Sequence, residues 1–146
     1  LINKTVWGDL DYLIVDFPPG TGDVQISMSQ KLKLDGSLII TTPQLLSLKD
    51  VIRGINMFIK VNVPILGVVE NMSYLEELNE RKYIFGESKT KSLLLKENIN
   101  LIEELPFNLN IPKSCDEGKP YCFDFKDDYS LKFENISKQV IKKLSE

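Results

Sequence analysis

The stretch Asp11–Asp23 reads D-Y-L-I-V-D-F-P-P-G-T-G-D, and it decides the predicted fold. Its apolar run Tyr12–Val15 predicts a buried parallel strand that ends at Asp16. The prolines and glycines that follow predict a loop, and Asp23 opens a helical pattern. A carboxylate at the carboxyl end of a parallel strand, beside a glycine loop, is where many α/β proteins hold magnesium and a nucleotide phosphate. The stretch therefore indicates an α/β protein that handles nucleotides.

Short apolar runs alternate with helix-length amphipathic runs along the rest of the chain. Strands are predicted at Tyr12–Val15, Ser37–Thr41, Ile65–Val69 and Leu101–Glu103. Helices are predicted at Asp23–Lys33, at Ser47–Lys60 with Ser47 as N-cap, at Ser88–Glu97, and from about Ser130 to the end. The polar segments Leu75–Lys82 and Asn108–Asp128 are predicted loops. This alternation predicts a doubly wound, mostly parallel α/β sheet in a single domain over residues 1–146.

Composition narrows the function classes. The 146 residues carry a net charge of −3, so charge gives no reason to expect nucleic-acid binding. No apolar run approaches the roughly 18 residues that span a bilayer, so we expect no membrane insertion. The sequence starts at Leu1 rather than Met, so we expect a fragment whose leader, if any, lies upstream.

Histidine and cysteine, the usual ligands of zinc, are scarce. The chain has no histidine, which excludes histidine-based triads and histidine-ligated zinc. Its two cysteines, Cys115 and Cys122, are spaced C-x6-C, which matches no common zinc pattern. They favour a reducing compartment, and we expect a cytoplasmic protein, or an organellar one in a eukaryote.

Asp16 and Gly20 are the predicted catalytic residues. Asp16 could hold Mg²⁺ through a water molecule, as the acidic residue of a nucleotide-hydrolysing site does. Gly20 could offer its backbone N–H to a terminal phosphate, because no Cβ blocks a close approach. The structural alternative is that Asp16 caps a strand end and that the Pro-Pro-Gly segment is only a turn.

Three further loops follow predicted strands and so share the sheet edge with Asp16. Asn71 carries a donor and an acceptor that match the edge of adenine, although it could simply end a strand. Pro106 and Phe107 could lie beside a base, or Phe107 could pack in the core. The segment Thr41–Gln44 could contact a ligand, but a simple strand-to-helix turn explains it at least as well.

Several motifs together resemble the carboxyl-terminal portion of the Mrp-type ATPases. They are D-Y-L-I-V-D-F-P-P-G-T-G-D-V-Q, I-I-T-T-P-Q, V-P-I-L-G-V-V-E-N-M-S-Y, I-F-G and D-E-G-K-P, and they extend from about Trp7 to Pro120. These ATPases are iron–sulfur cluster carriers of the deviant P-loop class, which also contains MinD and ParA. The resemblance implies a P-loop fold that lacks its amino-terminal phosphate-loop portion here.

The resemblance also implies a function. Family members are ATP-binding homodimers that carry an iron–sulfur cluster to apo iron–sulfur proteins, with slow ATP hydrolysis. By position, Asp16 matches the magnesium-linked aspartate of the second switch, and Gly20 matches the glycine near the γ-phosphate. Asn71 matches the adenine-reading asparagine, and Pro106 and Phe107 fall in the segment that lines the base.

The sequence departs from the family pattern in two places. The phosphate loop G-K-G-G-V-G-K-[ST] is absent from the 146 residues, so we expect them to bind ATP poorly and to hydrolyse none. Many members also carry a C-x-x-C pair that ligates a bridging cluster, and the matching segment Tyr74–Tyr83 has no cysteine. Carboxylates replace thiolates poorly at such clusters, so no cluster ligands are identified, and Cys115 and Cys122 do not match the motif.

Two other functions remain open at this stage. One is a regulatory ATPase like MinD or ParA that acts through membrane or DNA partners, although the last helix is not a strongly basic anchor. The other is a non-catalytic scaffold that keeps the fold and only binds partners.

Overall fold

The computed structural model describes residues 4–18, 20–78 and 80–146. Its elements, in chain order, are α1 (Asp23–Lys31), β1 (Ser37–Thr41), α2 (Leu45–Lys60), β2 (Ile65–Glu70), β3 (Leu75–Glu77), β4 (Glu80–Lys82), α3 (Thr90–Lys96), β5 (Leu101–Glu104), α4 (Asn110–Asp116), α5 (Tyr121–Asp124) and α6 (Asp128–Leu144). No helix among the described residues has the length and apolar character needed to cross a bilayer.

The central sheet has three parallel strands in the order β1–β2–β5. Because β2 lies in the middle, its run ILGVVE is buried almost throughout. On one face Val68 packs with Val51 and Ile55 of α2 and with Leu94 of α3. On the other face Val69 packs with Ile136 of α6. The sheet is thus covered by helices on both faces, and the predicted doubly wound parallel α/β architecture is confirmed.

Gly67 fixes how closely β2 and β5 approach. Its φ of +151° is a backbone conformation that other residues rarely adopt, and a Cβ there would lie 2.6 Å from the Ile102 side chain. The chain therefore needs glycine in the middle of an otherwise apolar strand. This close approach brings the ends of β2 and β5, and the loops that follow them, side by side.

The predicted strand at Tyr12–Val15 is wrong. The segment is irregular, and the structure leaves Ile14 92% exposed and Tyr12 51% exposed. A strand is stabilised by pairing with a neighbour, and among the described residues this run pairs with none. Phe17, two residues after this run, packs against α2, where its ring meets that of Phe58 edge-on with the ring centres 6.2 Å apart.

The other three predicted strands are confirmed within one residue, and the helices differ at their ends. Ser47 is not an N-cap, because α2 begins at Leu45 after Gln44, and the Ser47 hydroxyl instead lies 2.8 Å from that of Thr42. The last helix begins two residues earlier than predicted, since Asp127 caps it by accepting the Ser130 N–H at 2.9 Å.

Both predicted loops contain regular structure. Leu75–Lys82 forms the antiparallel hairpin β3–β4, which the sequence hides because its residues are mostly charged rather than alternately apolar. Asn108–Asp128 contains the short helices α4 and α5, of seven and four residues, too short to show a helical apolar period.

Candidate functional site

The carboxyl ends of the three parallel strands form one edge of the sheet. Thr41, Glu70 and Glu104 are neighbours in register across β1, β2 and β5. The segments that leave these strands therefore start side by side. In open parallel sheets the crevice at this edge is the usual ligand site.

Asn71 begins the segment after β2, and its backbone is fixed by hydrogen bonds. Its N–H donates to the Thr41 carbonyl at 2.8 Å, and its Oδ1 accepts the Met72 N–H at 2.9 Å. Met72 has φ of +55°, in the left-handed region that non-glycine residues seldom occupy. The Oδ1 atom keeps a second lone pair, and the amide group keeps its two donors, so Asn71 can still present both to a purine edge.

The segment after β5 lies against the segment that carries Asn71. Three backbone hydrogen bonds join them: Leu105 N–H to Glu70 O at 2.8 Å, Ser73 N–H to Leu105 O at 2.9 Å, and Phe107 N–H to Tyr74 O at 2.7 Å. The structure thus brings together three of the five predicted site residues, namely Asn71, Pro106 and Phe107. Pro106 and Phe107 are half-buried, so both leave surface at this edge.

Phe85 is an aromatic residue that the sequence reasoning did not assign to the site. Its ring centre lies 5.6 Å from that of Phe107, with the planes tilted by 48°. The sequence signal was the triplet I-F-G, which served only as a family marker. Because 38% of Phe85 stays exposed, it forms a wall of the same surface rather than part of the core.

Asp16 and Gly20 lie on a different segment. Asp16 is exposed and follows irregular backbone instead of a strand. Gly20 has φ of +101°, so the turn does require glycine, and Gln25 Nε2 on α1 holds it by donating to Pro18 O at 3.1 Å. Within the described part of the chain, no hydrogen bond joins Asp16 or Gly20 to the segment of Asn71. Their roles stay predictions.

The hairpin β3–β4 occupies the place where the resemblance expected a C-x-x-C pair. The guanidinium of Arg81 lies over the buried ring of Tyr74, and Glu77 forms a salt bridge with Lys82. A hydrogen bond from Lys82 and its positive charge lower the pKa of Glu77, outweighing a small effect of burial. These are ammonium, guanidinium and carboxylate groups, which suit a charged surface and not an iron–sulfur cluster.

The described residues contain no group of three or more His, Cys, Asp or Glu side chains placed to hold a metal ion. Cys115 is an exposed free thiol on α4, and Cys122 is a half-buried free thiol on α5. Both lie outside the hairpin, so they do not substitute for the missing pair.

Comparison with known proteins places the chain in a family. Residues 1–143 match the family model described as ParA: NUBPL iron-transfer P-loop NTPase. The chain is 46% identical to the iron–sulfur cluster transfer protein NUBPL of Dictyostelium discoideum, over 99% of this chain and 46% of that protein. It is also 46% identical to an Arabidopsis thaliana protein named iron–sulfur protein required for NADH dehydrogenase, mitochondrial, over 96% of this chain and 46% of that protein.

A solved structure agrees with this result. The nucleotide-binding protein of Archaeoglobus fulgidus, in complex with ADP, superposes with a TM-score of 0.68 at 41% identity. The match covers 82% of this chain and 52% of that one. The chain thus spans about half the length of the relatives it matches.

Proposed function

Since the chain belongs to the family of NUBPL-type iron-transfer P-loop NTPases, we propose that it is the nucleotide-binding carboxyl-terminal part of an iron–sulfur cluster carrier. The proposal rests on one observation above all. The edge of the sheet brings Asn71 beside Pro106 and Phe107, and these are the residue types that can read and flank an adenine. In this proposal, residues 1–146 act as one domain that contributes this base-binding edge.

The proposed nucleotide is ATP with Mg²⁺. Asp16 is an exposed carboxylate, a type of ligand that suits magnesium, and it would hold the ion through water. Gly20 would offer its N–H to the terminal phosphate. The ion and the phosphate cradle of the P-loop would supply charge stabilisation, and Asn71 would orient the base. Because the 146 residues contain no glycine-lysine phosphate loop, we expect weak ATP binding and no turnover from them alone.

The proposed cargo is an iron–sulfur cluster, delivered to apo iron–sulfur proteins by a homodimer. The hairpin does not supply thiolates, so it does not fit the bridging site of the C-x-x-C members. We place the hairpin beside the cargo only as a charged surface. Relatives from several lineages carry cluster-transfer names, and this supports the carrier class over a partitioning ATPase.

The decisive experiment is a titration of the ¹⁵N-labelled chain with AMP. AMP reports base binding without a phosphate loop. We expect the backbone amides of Asn71, Met72 and Phe107 to show the largest changes in chemical shift. The amides of α4 are the internal control and should change little. A dissociation constant of about 1 mM is about the weakest expected for a single base, so the titration extends to roughly 20 mM AMP. The proposed base site would be overturned if no amide shifts at that concentration, or if only amides of the α4 region shift.

A second experiment addresses the cargo. A form of the protein that includes a phosphate loop is reconstituted anaerobically with iron and sulfide, and visible absorption and iron content are measured before and after apo-ferredoxin is added. Transfer of iron and sulfide to apo-ferredoxin supports the carrier function. Nucleotide binding without any cluster uptake, by a form of the protein that includes a phosphate loop, would favour a regulatory ATPase instead.

A further inference from the structure

We propose that Glu70 is a positioning residue whose buried carboxylate holds Phe85 against Phe107 and so shapes the base side of the site. The expected effect on AMP binding rests on the proposed function. The expected effect on the positions of the Phe85 and Phe107 rings does not depend on nucleotide binding. Glu70 ends β2 and immediately precedes Asn71. In the sequence, Glu70 stands out only as part of the motif V-E-N-M-S.

The burial of Glu70 is unusual. The residue has 0% exposure, and no lysine or arginine forms an ion pair with it in the described part of the chain. Its Oε1 is buried and finds no hydrogen-bond partner there. Burying a carboxylate that is only half satisfied is unfavourable, and such a group in a folded protein calls for a specific explanation.

The other carboxylate oxygen of Glu70 joins two distant parts of the chain. Its Oε2 accepts hydrogen bonds from the hydroxyls of Ser88 and Thr90. Thr90 is the first residue of α3 and is itself fully buried, and its N–H donates to Ser88 Oγ at 3.1 Å. The end of β2 is therefore fastened to the segment that enters α3.

The direction of the Glu70 side chain follows from the strand. Val69 faces α6, so the residues on either side of it, Val68 and Glu70, face the opposite side, where α3 packs. The carboxylate thus points to where α3 begins, and the carbonyl of Glu70 remains in the plane of the sheet. That carbonyl accepts the N–H of Leu105 at 2.8 Å and the hydroxyl of Ser73 at 2.9 Å.

Phe85 lies only three residues before Ser88. Phe85 itself lies within a turn, in which the Gly86 N–H donates to Tyr83 O at 3.0 Å. Since the carboxylate fixes Ser88, it limits where the Phe85 ring can lie. Its observed place is against Phe107, which the segment after β5 carries. Glu70 thus contacts the segments that carry both rings. Its carboxylate binds the segment that follows Phe85, and its carbonyl binds the segment that leads to Phe107.

The test compares Glu70→Leu with Glu70→Gln. Leucine removes the acceptor, whereas glutamine keeps one oxygen that can accept both hydroxyls. We expect Glu70→Leu to lose the NMR contacts between the Phe85 and Phe107 rings and to weaken AMP binding roughly tenfold. Glu70→Gln should keep the ring contacts and remain within about threefold of the wild-type affinity.

Two further variants keep the test decisive. Ser88→Ala/Thr90→Val removes the donors and leaves β2 unchanged, so it serves if Glu70→Leu does not fold, and it should also lose the ring contacts. Glu103→Leu is the matched control, because Glu103 also accepts two side-chain hydrogen bonds, from Lys132 and Asn135, but on the α6 face. It should lower stability and leave the ring contacts and AMP affinity unchanged.

The outcomes separate this inference from the proposed function. If ring contacts persist in Glu70→Leu or in the double variant, Glu70 only stabilises the fold and the inference is overturned. If the contacts are lost in these variants and kept in Glu103→Leu, the positioning role is supported. Should the wild-type chain fail to bind AMP, the proposed function is contradicted, while the ring contacts still decide the role of Glu70.

Discussion

The guanidinium of Arg81 lies 4.3 Å from the centre of the Tyr74 ring. Tyr74 is buried and stands three residues after Asn71, whereas Arg81 belongs to the exposed strand β4. This cation–π contact joins the hairpin to the segment that carries the proposed base-reading side chain. The hairpin is thus tied to the site by a specific contact as well as by the chain.

Replacing Arg81 with alanine should loosen the hairpin. Cation–π contacts of this kind contribute about 1 kcal/mol, so we expect Arg81→Ala to lower the free energy of unfolding by about that amount in urea denaturation. Arg53→Ala is the matched control. Arg53 forms an exposed ion pair with Asp50, and its loss should cost less than about 0.5 kcal/mol. Equal effects of the two substitutions would contradict the role given to Arg81.

The hairpin register predicts where a cluster site could be built. Glu77 and Glu80 are opposite each other across the hairpin and have the spacing of a C-x-x-C pair. Directly opposed side chains have Cβ atoms about 5 Å apart. We expect Glu77→Cys/Glu80→Cys to bind iron after anaerobic reconstitution, with new visible absorption from thiolate-to-iron charge transfer.

The control for this gain of function is Glu76→Cys/Glu80→Cys. Neighbouring residues of a strand point to opposite faces, so this pair should not converge on one metal ion. Iron binding of equal stoichiometry in both variants would show that the register does not govern the site.

Asn71→Ala should selectively weaken adenine binding. The substitution removes one donor and one acceptor, each contributing about 1 kcal/mol, so we expect roughly a tenfold loss of AMP affinity. GMP affinity, measured by the same ¹⁵N titration, should change much less. Asn56→Ala, at an exposed position of α2, is the control and should leave both affinities as they are. A parallel loss for AMP and GMP would mean that Asn71 supports the loop without reading the base.

An apolar run was predicted correctly as a strand where a neighbouring strand pairs with it. Ser37–Thr41 and Ile65–Glu70 pair with each other, so their apolar runs became strands as predicted. Tyr12–Val15 has an equally apolar pattern but pairs with no described strand, and apolarity alone does not form a ladder. The hairpin was missed for the opposite reason, since cross-strand charge and cation–π contacts hold it without an apolar period.

The sequence predicted part of how the candidate site residues are grouped in space, while their roles stay predictions. Asn71, Pro106 and Phe107 follow strand ends, and the rule that parallel strands share an edge correctly grouped them. Glu70 and Phe85 could not be assigned, because their roles depend on contacts between segments about 20 residues apart in the chain. A glutamate that ends an apolar run gives no local sign of its burial.

The start of α6 predicts a dependence of stability on pH. The hydrogen bond from the Tyr121 hydroxyl, at 2.6 Å, and the N–H of Ser130 lower the pKa of Asp127 below its ordinary 3.8. A carboxyl group whose pKa is lowered in the folded state stabilises the fold above its unfolded-state value, and this stabilisation is lost as pH falls through the folded-state value. Both carboxylate oxygens of Asp127 accept a hydrogen bond, whereas an asparagine amide has only one acceptor oxygen, so Asp127→Asn should lose one of the two bonds and cost about 1 kcal/mol at pH 7.

The difference between wild type and Asp127→Asn should shrink as the pH falls below about 3.8, the unfolded-state pKa. Urea denaturation at a series of pH values measures this difference. Asp124→Asn, at an exposed position of α5, should change stability by less than about 0.5 kcal/mol at pH 7. A difference for Asp127→Asn that stays constant to pH 3 would contradict the assignment.

The outer side of β1 is an edge of the sheet among the described residues. Within them, β1 pairs only with β2, and Ile40 is 57% exposed. A strand of this kind presents a row of amide and carbonyl groups to any extended polypeptide. At high protein concentration, strands of other chains could pair with this edge, and the chains would then form oligomers or aggregates. Light scattering, rather than any ligand assay, is therefore the measurement that reveals whether this side is covered.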